Sequence, residues 1–313
     1  MHMTLLQVAN QYIERVQQLP SLAELTPTQA RKLKEKVITQ IQSPYLQSVK
    51  DLSIKMRDGA NITIRIYRPK TMRQLPIIVY YHGGGWVIND INTSHESCIQ
   101  LAQKTEHIVV SVDYRLAPEY KFPTPLNDAF DAFQWVVQNR ELLHSNGQIS
   151  VAGDSAGGNL ATAVALLAKE QHLKIRSQIL LYPVTNLQFD TVSYECYQSG
   201  FGLDRDVMKW FGKHYVNGMD DYNNPLVSPL LADVTNLPRT FIVAAEYDVL
   251  HDEVVAFANK LRASNIDVEL HEAAGLVHSY FTNNDLFKHE IEITIEKVAN
   301  FLHETERFEH KGA

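Results

Sequence analysis

The sequence predicts an α/β protein whose mostly parallel sheet is covered on both faces by helices. Three observations predict it. From Leu75 onward, short apolar strands and amphipathic helices take turns, the pattern of parallel strands joined by helical crossovers. A Gly-x-Ser-x-Gly run, Gly153 to Gly157, sits where a strand meets a helix. A segment with a glycine triplet, His82-Gly83-Gly84-Gly85-Trp86, directly follows another strand. The 313 residues, 45% of them apolar, suffice for a full core and fit one large domain as readily as two.

In chain order, Leu5, Val8, Tyr12, Val16 and Leu19 share one helical stripe across 3–19. Thr26-Pro27-Thr28-Gln29 reads as a capping box with proline at the first helical position. A second helix should therefore run to about Gln42, before Pro44. Docking of these apolar faces on the rest of the chain explains them better than a membrane surface does. Residues 52–57 and 62–67 alternate around Asp58-Gly59, which signals a hairpin. Strands follow at 76–81, 107–113, 148–152, 177–182, 239–245 and 267–272. Helices fall near 94–105, 124–143, 156–170, 251–263 and 286–303. With the hairpin, this makes an eight-stranded mixed sheet. Residues 186–222 break the rhythm, and eight of those 37 positions are aromatic. A surface connector is seldom so aromatic, whereas an insertion folded over a site is.

Composition excludes several classes. The chain has 29 Lys+Arg against 36 Asp+Glu, a formal charge of −7, with no basic stripe for nucleic acid. Two distant cysteines, Cys98 and Cys196, rule out a disulfide scaffold or a cysteine zinc site, and suit a cytoplasmic location. The longest apolar runs, 77–81 and 179–182, are far short of the roughly 20 residues a spanning helix needs. Residues 1–15 lack the pattern of a signal peptide. His303 and His310 are too far apart for a zinc helix, and no phosphate loop or dinucleotide fingerprint occurs. The expectation is an enzyme with no metal and no cofactor, no nucleic-acid partner and no stable membrane insertion.

The chemistry gathers at the ends of the strands. Ser155 lies at a sharp strand-to-helix turn, relieved by the bare backbones of Gly153 and Gly157. The helix N-terminus there favours developing negative charge. A serine hydroxyl needs a base to become a nucleophile. His271 falls inside a strand and His289 inside a helix, but His278 follows the last strand on a loop. The base needs an acid to fix its tautomer. Asp248 stands just past the strand 239–245, whereas Asp252 and Glu253 suit the first turn of the next helix. The order Ser155, Asp248, His278 gives a serine hydrolase triad. An oxyanion needs aimed N–H donors, which His82-Gly83-Gly84-Gly85-Trp86 and the N–H of Ala156 can supply.

Together these residues resemble the hormone-sensitive-lipase-like family of serine esterases, within the α/β-hydrolase fold. The matching pieces are HGGGW at 82–86, DYRLAPE at 113–119, FPTPLNDA at 122–129, GDSAGGNL at 153–160 and SPLLAD at 228–233. AEYDVLHDE at 245–253 and GLVH at 275–278 complete the set. The resemblance spans roughly 50–303 and implies an oxyanion hole at Gly84, Gly85 and Ala156, with Gly83 in the same loop mainly shaping its turn. It also implies a helical cap, here 1–45 with 186–222, over a catalytic core of 46–185 and 223–313. Trp86, Phe201, Trp210 and Phe211 are then candidates to line the substrate pocket. Two positions depart from the family. Val249 stands where proline usually follows the acid, so the acid turn should be looser. Ser279-Tyr280 replaces a small residue and phenylalanine after the histidine.

The expected function is hydrolysis of short- to medium-chain carboxylic esters through an acyl-enzyme, with a small-molecule ester as partner. A peptidase or amidase on the same fold is the nearest rival. A non-catalytic small-molecule receptor is a more distant one, because His278 is present. An edge strand near 267–272 allows a homodimer.

Overall fold

A computed structural model of the chain describes residues 5–38 and 40–309. Eight strands form one sheet in the order β1-β2-β4-β3-β5-β6-β7-β8. The hairpin β1 (Leu46–Lys55) and β2 (Asn61–Pro69) is antiparallel, and β2 pairs antiparallel with β4 (Ile108–Asp113). Every other pairing is parallel, through β3 (Leu75–Tyr81), β5 (Ser145–Asp154), β6 (Ser177–Leu181), β7 (Arg239–Tyr247) and β8 (Val268–Val277). This is the α/β-hydrolase arrangement expected above.

The central strand shows why the sheet is covered twice. All of β3 is buried. Ile77, Val79 and Tyr81 enter one apolar cluster with α4 (Thr124–Gln138), α5 (Ala156–Glu170) and α8 (His251–Ala263). Ile78 and Tyr80 point the other way, into a cluster with α1 (Gln7–Gln17), α3 (His95–Thr105) and α9 (Lys288–Glu309). Successive side chains of a strand face opposite sides, so a continuous apolar run needs helices on both.

Several boundaries differ from the sequence reading. In α1 the expected Val8 and Tyr12 pack on the core beside the buried Ala9 and Ile13, as does Leu5 just before the helix, while Leu19 lies beyond its end and is exposed. The capping box at Thr26 and Gln29 is present, but α2 spans only Pro27–Lys34. Beyond it Glu35 leaves the helical conformation, at φ −57 and ψ 125, and Val37 is exposed. Thr39 lies outside the described residues, as do 1–4 and His310. The helix α4 stops at Gln138 because Asn139 turns its side-chain amide back to the Trp135 carbonyl. The strand β8 runs five residues past its expected end. Gly275, at φ +72, lets it bend with β7, and its N–H donates to Glu246 at 2.7 Å.

The 186–222 segment lies between β6 and β7 and carries α6 (Val192–Cys196) and α7 (Arg205–Tyr215). It docks on the rest through stacked aromatics. Trp86 and Tyr215 lie face to face, with centroids 4.2 Å apart and planes within 3°. Leu22–Glu24 packs on α7, and Arg31 of α2 donates to the carbonyls of Val87 and Ala117.

One buried ion pair ties the motif segments together. Arg115 grips the fully buried carboxylate of Asp128 at 2.6 and 2.8 Å, and reaches Asp58 of the hairpin turn at 2.7 Å. Removing one partner of such a pair strands the other charge. Asp128→Ala should therefore lower the unfolding free energy by about 3–5 kcal/mol, read as a fall in the urea midpoint with an unchanged slope.

Candidate active site

The nucleophile turn is made by close backbone approach. Ser155 has φ +54 and ψ −121, a strained conformation for any residue with a side chain. A Cβ on Gly157 would lie 1.9 Å from the Tyr81 carbonyl oxygen, and one on Gly153 would lie 2.3 Å from Gly157. Only glycine fits at both points. Hydrogen bonds hold the strained residue in place: its N–H donates to Leu181 and its carbonyl accepts from Val184. Asn159, one turn into α5, donates to the carbonyls of Val184 and Val227.

The base and acid arrive from the next strands. His278 follows β8 directly, and its Nε2 lies 2.9 Å from the Ser155 Oγ. Its Nδ1 is 2.6 Å from Oδ2 of Asp248, which follows β7. All three side chains are nearly excluded from solvent, at 6%, 4% and 1% exposure for Ser155, His278 and Asp248. The Tyr182 ring packs on the imidazole at 4.8 Å. With Nδ1–H donating to the carboxylate, Nε2 is left as the acceptor for the serine proton. His271 lies within β8 and His289 within α9. Asp252, the other acid weighed, instead accepts from the Ser193 N–H and contacts His251.

The acid turn is firmer than Val249 led one to expect. Val249 is buried, and its carbonyl accepts from the Ser193 hydroxyl of α6 at 2.7 Å. Asp248 Oδ1 also accepts from the Leu250 N–H. A hydrogen bond from a neighbouring segment thus replaces the stiffness of a proline ring. The second departure is equally well housed, since the Tyr280 hydroxyl is bonded to Thr294 at 2.7 Å.

The glycine loop divides its labour. Gly84 and Gly85 have φ of +112 and +56, and neither N–H makes a hydrogen bond among the described residues. The Ala156 N–H is the first of α5 and has no preceding turn to accept it. Gly83 differs: its N–H already donates to Asp154 Oδ1 at 3.0 Å. One N–H serves one strong acceptor, so Gly83 is not an oxyanion donor, and its place in that set is corrected. His82 closes the loop from behind, donating from Nδ1 to the Gly83 carbonyl and stacking on Tyr114 at 4.3 Å.

The aromatic candidates separate. Phe211 lies directly on Gly85, where a Cβ would meet its ring at 2.1 Å. Trp210 packs edge-on against Phe211 and His214. Phe201 stacks on Tyr247, beside the acid turn. Trp86 is fully buried with its face covered by Tyr215. It joins α7 to the glycine loop instead of lining a pocket, which corrects the expectation for that residue.

Two buried acids carry more of the site than the sequence reading assigned to them. Asp154 accepts from the Tyr80 hydroxyl at 2.7 Å and from Gly83. It thereby ties the glycine loop to the nucleophile turn, and burial raises its pKa. Its position next to Ser155 in GDSAG was the available signal. Glu253 does occupy the first turn of α8, but it is buried. Its Oε1 accepts from the N–H groups of Thr185 and Asn186 at 2.7 and 3.0 Å, fixing the exit from β6.

Known proteins resemble the chain along most of its length. Residues 78–282 match the family model described as the alpha/beta hydrolase fold. An arylesterase from Saccharolobus solfataricus is 36% identical over 80% of this chain and 82% of its own. An ethyl acetate hydrolase from Pseudomonas putida is 36% identical over 74% of this chain and 75% of its own. The crystal structure of a thermostable esterase from Pseudomonas putida superposes with a TM-score of 0.89 at 32% identity, covering 96% of this chain and 97% of that one. The chain belongs to the α/β-hydrolase fold family, and within it to the hormone-sensitive-lipase-like carboxylic ester hydrolases.

Burial also gives Glu253 a measurable signature, raising its pKa from the ordinary 4.5 to about 8. Between those values the unfolded chain ionises while the folded chain keeps its proton. The associated stability is full below about 4.5 and is lost as pH rises through about 8. Glu253→Gln keeps an acceptor but cannot ionise. Its melting temperature should fall less than that of the wild type between about pH 6 and pH 9, measured by thermal denaturation in matched buffers.

Proposed function

We propose that the protein hydrolyses short- to medium-chain carboxylic esters with Ser155 as nucleophile, His278 as base and Asp248 as orienting acid. The observation that carries this reading is His278, which spans Ser155 Oγ and Asp248 Oδ2 at 2.9 and 2.6 Å. Ser155 attacks the ester carbonyl while His278 takes its proton. The N–H groups of Gly84, Gly85 and Ala156 receive the oxyanion. His278 then protonates the leaving alcohol, and water, activated by the same imidazole, releases the acid from Ser155. No step calls for a metal or cofactor.

The short-chain preference is supported by the nearly closed triad and by Phe211 seated on the glycine loop. The relative named as an ethyl acetate hydrolase points the same way. Residues 1–45 and 186–222 serve as a cap over a core of 46–185 and 223–313. A cytoplasmic setting is supported by two unpaired cysteines, Cys98 buried and Cys196 exposed. No helix among the described residues is long and apolar enough to cross a membrane.

Ser155→Ala should abolish turnover of p-nitrophenyl esters and labelling by a fluorophosphonate probe while leaving the melting curve in place. Persisting turnover would sink the scheme. Across p-nitrophenyl esters from acetate to palmitate, kcat/KM should peak before the middle of the series. A peak at palmitate would refute the chain-length assignment.

A further inference from the structure

A cavity of about 350 Å³ lies outside the triad, between the end of α2 and the turn that follows the glycine loop. One wall is Lys32, Lys34 and Lys36, and the other is Asn89, Asp90 and Thr93. Arg31 and Glu35 complete the charged lining, giving four cations against two acids.

The charges of that lining are unevenly committed. The Arg31 guanidinium is spent on Glu119 and on the carbonyls of Val87 and Ala117. The Asp90 carboxylate is spent on its own turn, accepting from the N–H groups of Asn92 and Thr93 and from the Asn92 amide. Lys32, Lys34 and Lys36 have no ion pair or hydrogen bond among the described residues. Burial alone lowers the Lys34 pKa, with no carboxylate acting against it. Burial, then Arg65, then Lys36 push the His95 imidazole down to about 4, so the Lys36 charge is felt beyond its own segment. Cations in the last turn of α2 are partly explained by the helix dipole. Lys36 lies beyond the helix and has no such reason to be there. A partly desolvated ammonium without a counter-charge is costly, and an anionic oxygen supplied from outside removes that cost.

The cavity also adjoins the reaction centre. Asn89 forms part of its wall, and the same side-chain amide approaches the Gly83 carbonyl at 3.4 Å and packs against Gly84. We propose that this cavity is a binding site for a small anionic group, a carboxylate or phosphate, held by Lys34 and Lys36 beside the glycine loop. The group belongs either to the ester substrate or to a separate ion. Only the first source rests on the ester-hydrolase reading.

Two measurements on the wild type and a Lys34→Ala/Lys36→Ala double variant decide it. One is calorimetric titration with inorganic phosphate at constant ionic strength. The other compares kcat/KM for p-nitrophenyl butyrate with that for mono-p-nitrophenyl succinate, which ends in a carboxylate. If the anion is part of the substrate, the variant loses about ten-fold on the succinate ester and stays within about two-fold on the butyrate ester. If the anion is a separate ion, phosphate binds the wild type and its Kd rises at least about ten-fold in the variant. Equal behaviour of wild type and variant in both measurements overturns the site. So does an equal loss on both esters without a change in phosphate binding, since the lysines would then only support the loop. If the wild type hydrolyses neither ester, the functional reading fails, and the phosphate titration still decides the cavity. Should the double variant fold poorly by circular dichroism, Lys36→Gln takes its place with the same expected directions.

Discussion

The whole catalytic edge depends on one backbone contact, the approach of the first turn of α5 to the end of β3. The Tyr81 carbonyl oxygen occupies the space that a side chain at position 157 would need. Because glycine yields that space to the carbonyl, β5 passes into α5 with a single strained residue between them, and that residue is Ser155. The strain is held by hydrogen bonds to Leu181 and Val184, which follow from β6 lying beside β5. The glycine loop starts one residue beyond Tyr81. The contact that shapes the serine turn therefore also sets where the glycine loop begins.

Much of this was legible in the sequence, because the informative features are local. A glycine two places before and two places after a serine, between an apolar strand and an alanine-rich helix, defines the turn without reference to anything distant. Asp248 and His278 were legible because each stands just past a strand, and strand ends of a parallel sheet share an edge. The less legible parts are pairwise contacts across long separations. Asp154 meets Gly83 and Tyr80 from 71 and 74 positions away, and Glu253 meets Thr185 from 68. Glu253 in a first helical turn reads as an ordinary solvated charge until the fold buries it. The early end of α2 was hidden for a related reason. Val37 and Ile41 look like a continuing stripe, but a stripe makes a helix only if something receives its apolar face. The extension of β8 was masked by Gly275, which reads as a terminator and acts as a bend.

The site keeps its acids in two different conditions. Asp248 is hydrogen-bonded to the imidazole and to the Leu250 N–H. Asp154 and Glu253 are buried beside backbone donors, and burial moves both toward their neutral forms. They act as connectors between segments, one joining the glycine loop to the serine turn and the other joining the exit of β6 to α8. Positioning by buried acids costs folding free energy, yet it fixes loops that no secondary structure spans.

The stacked pair of Trp86 and Tyr215 gives the insertion a second meaning. Trp86 is the residue after the third loop glycine, and Tyr215 is the last residue of α7. The stack, with Phe211 seated on Gly85, therefore couples α7 to the backbone of the glycine loop at two points. A displacement of α7 would therefore shift the Gly84 and Gly85 N–H groups that the proposed reaction uses as donors, so cap and loop are not independent parts.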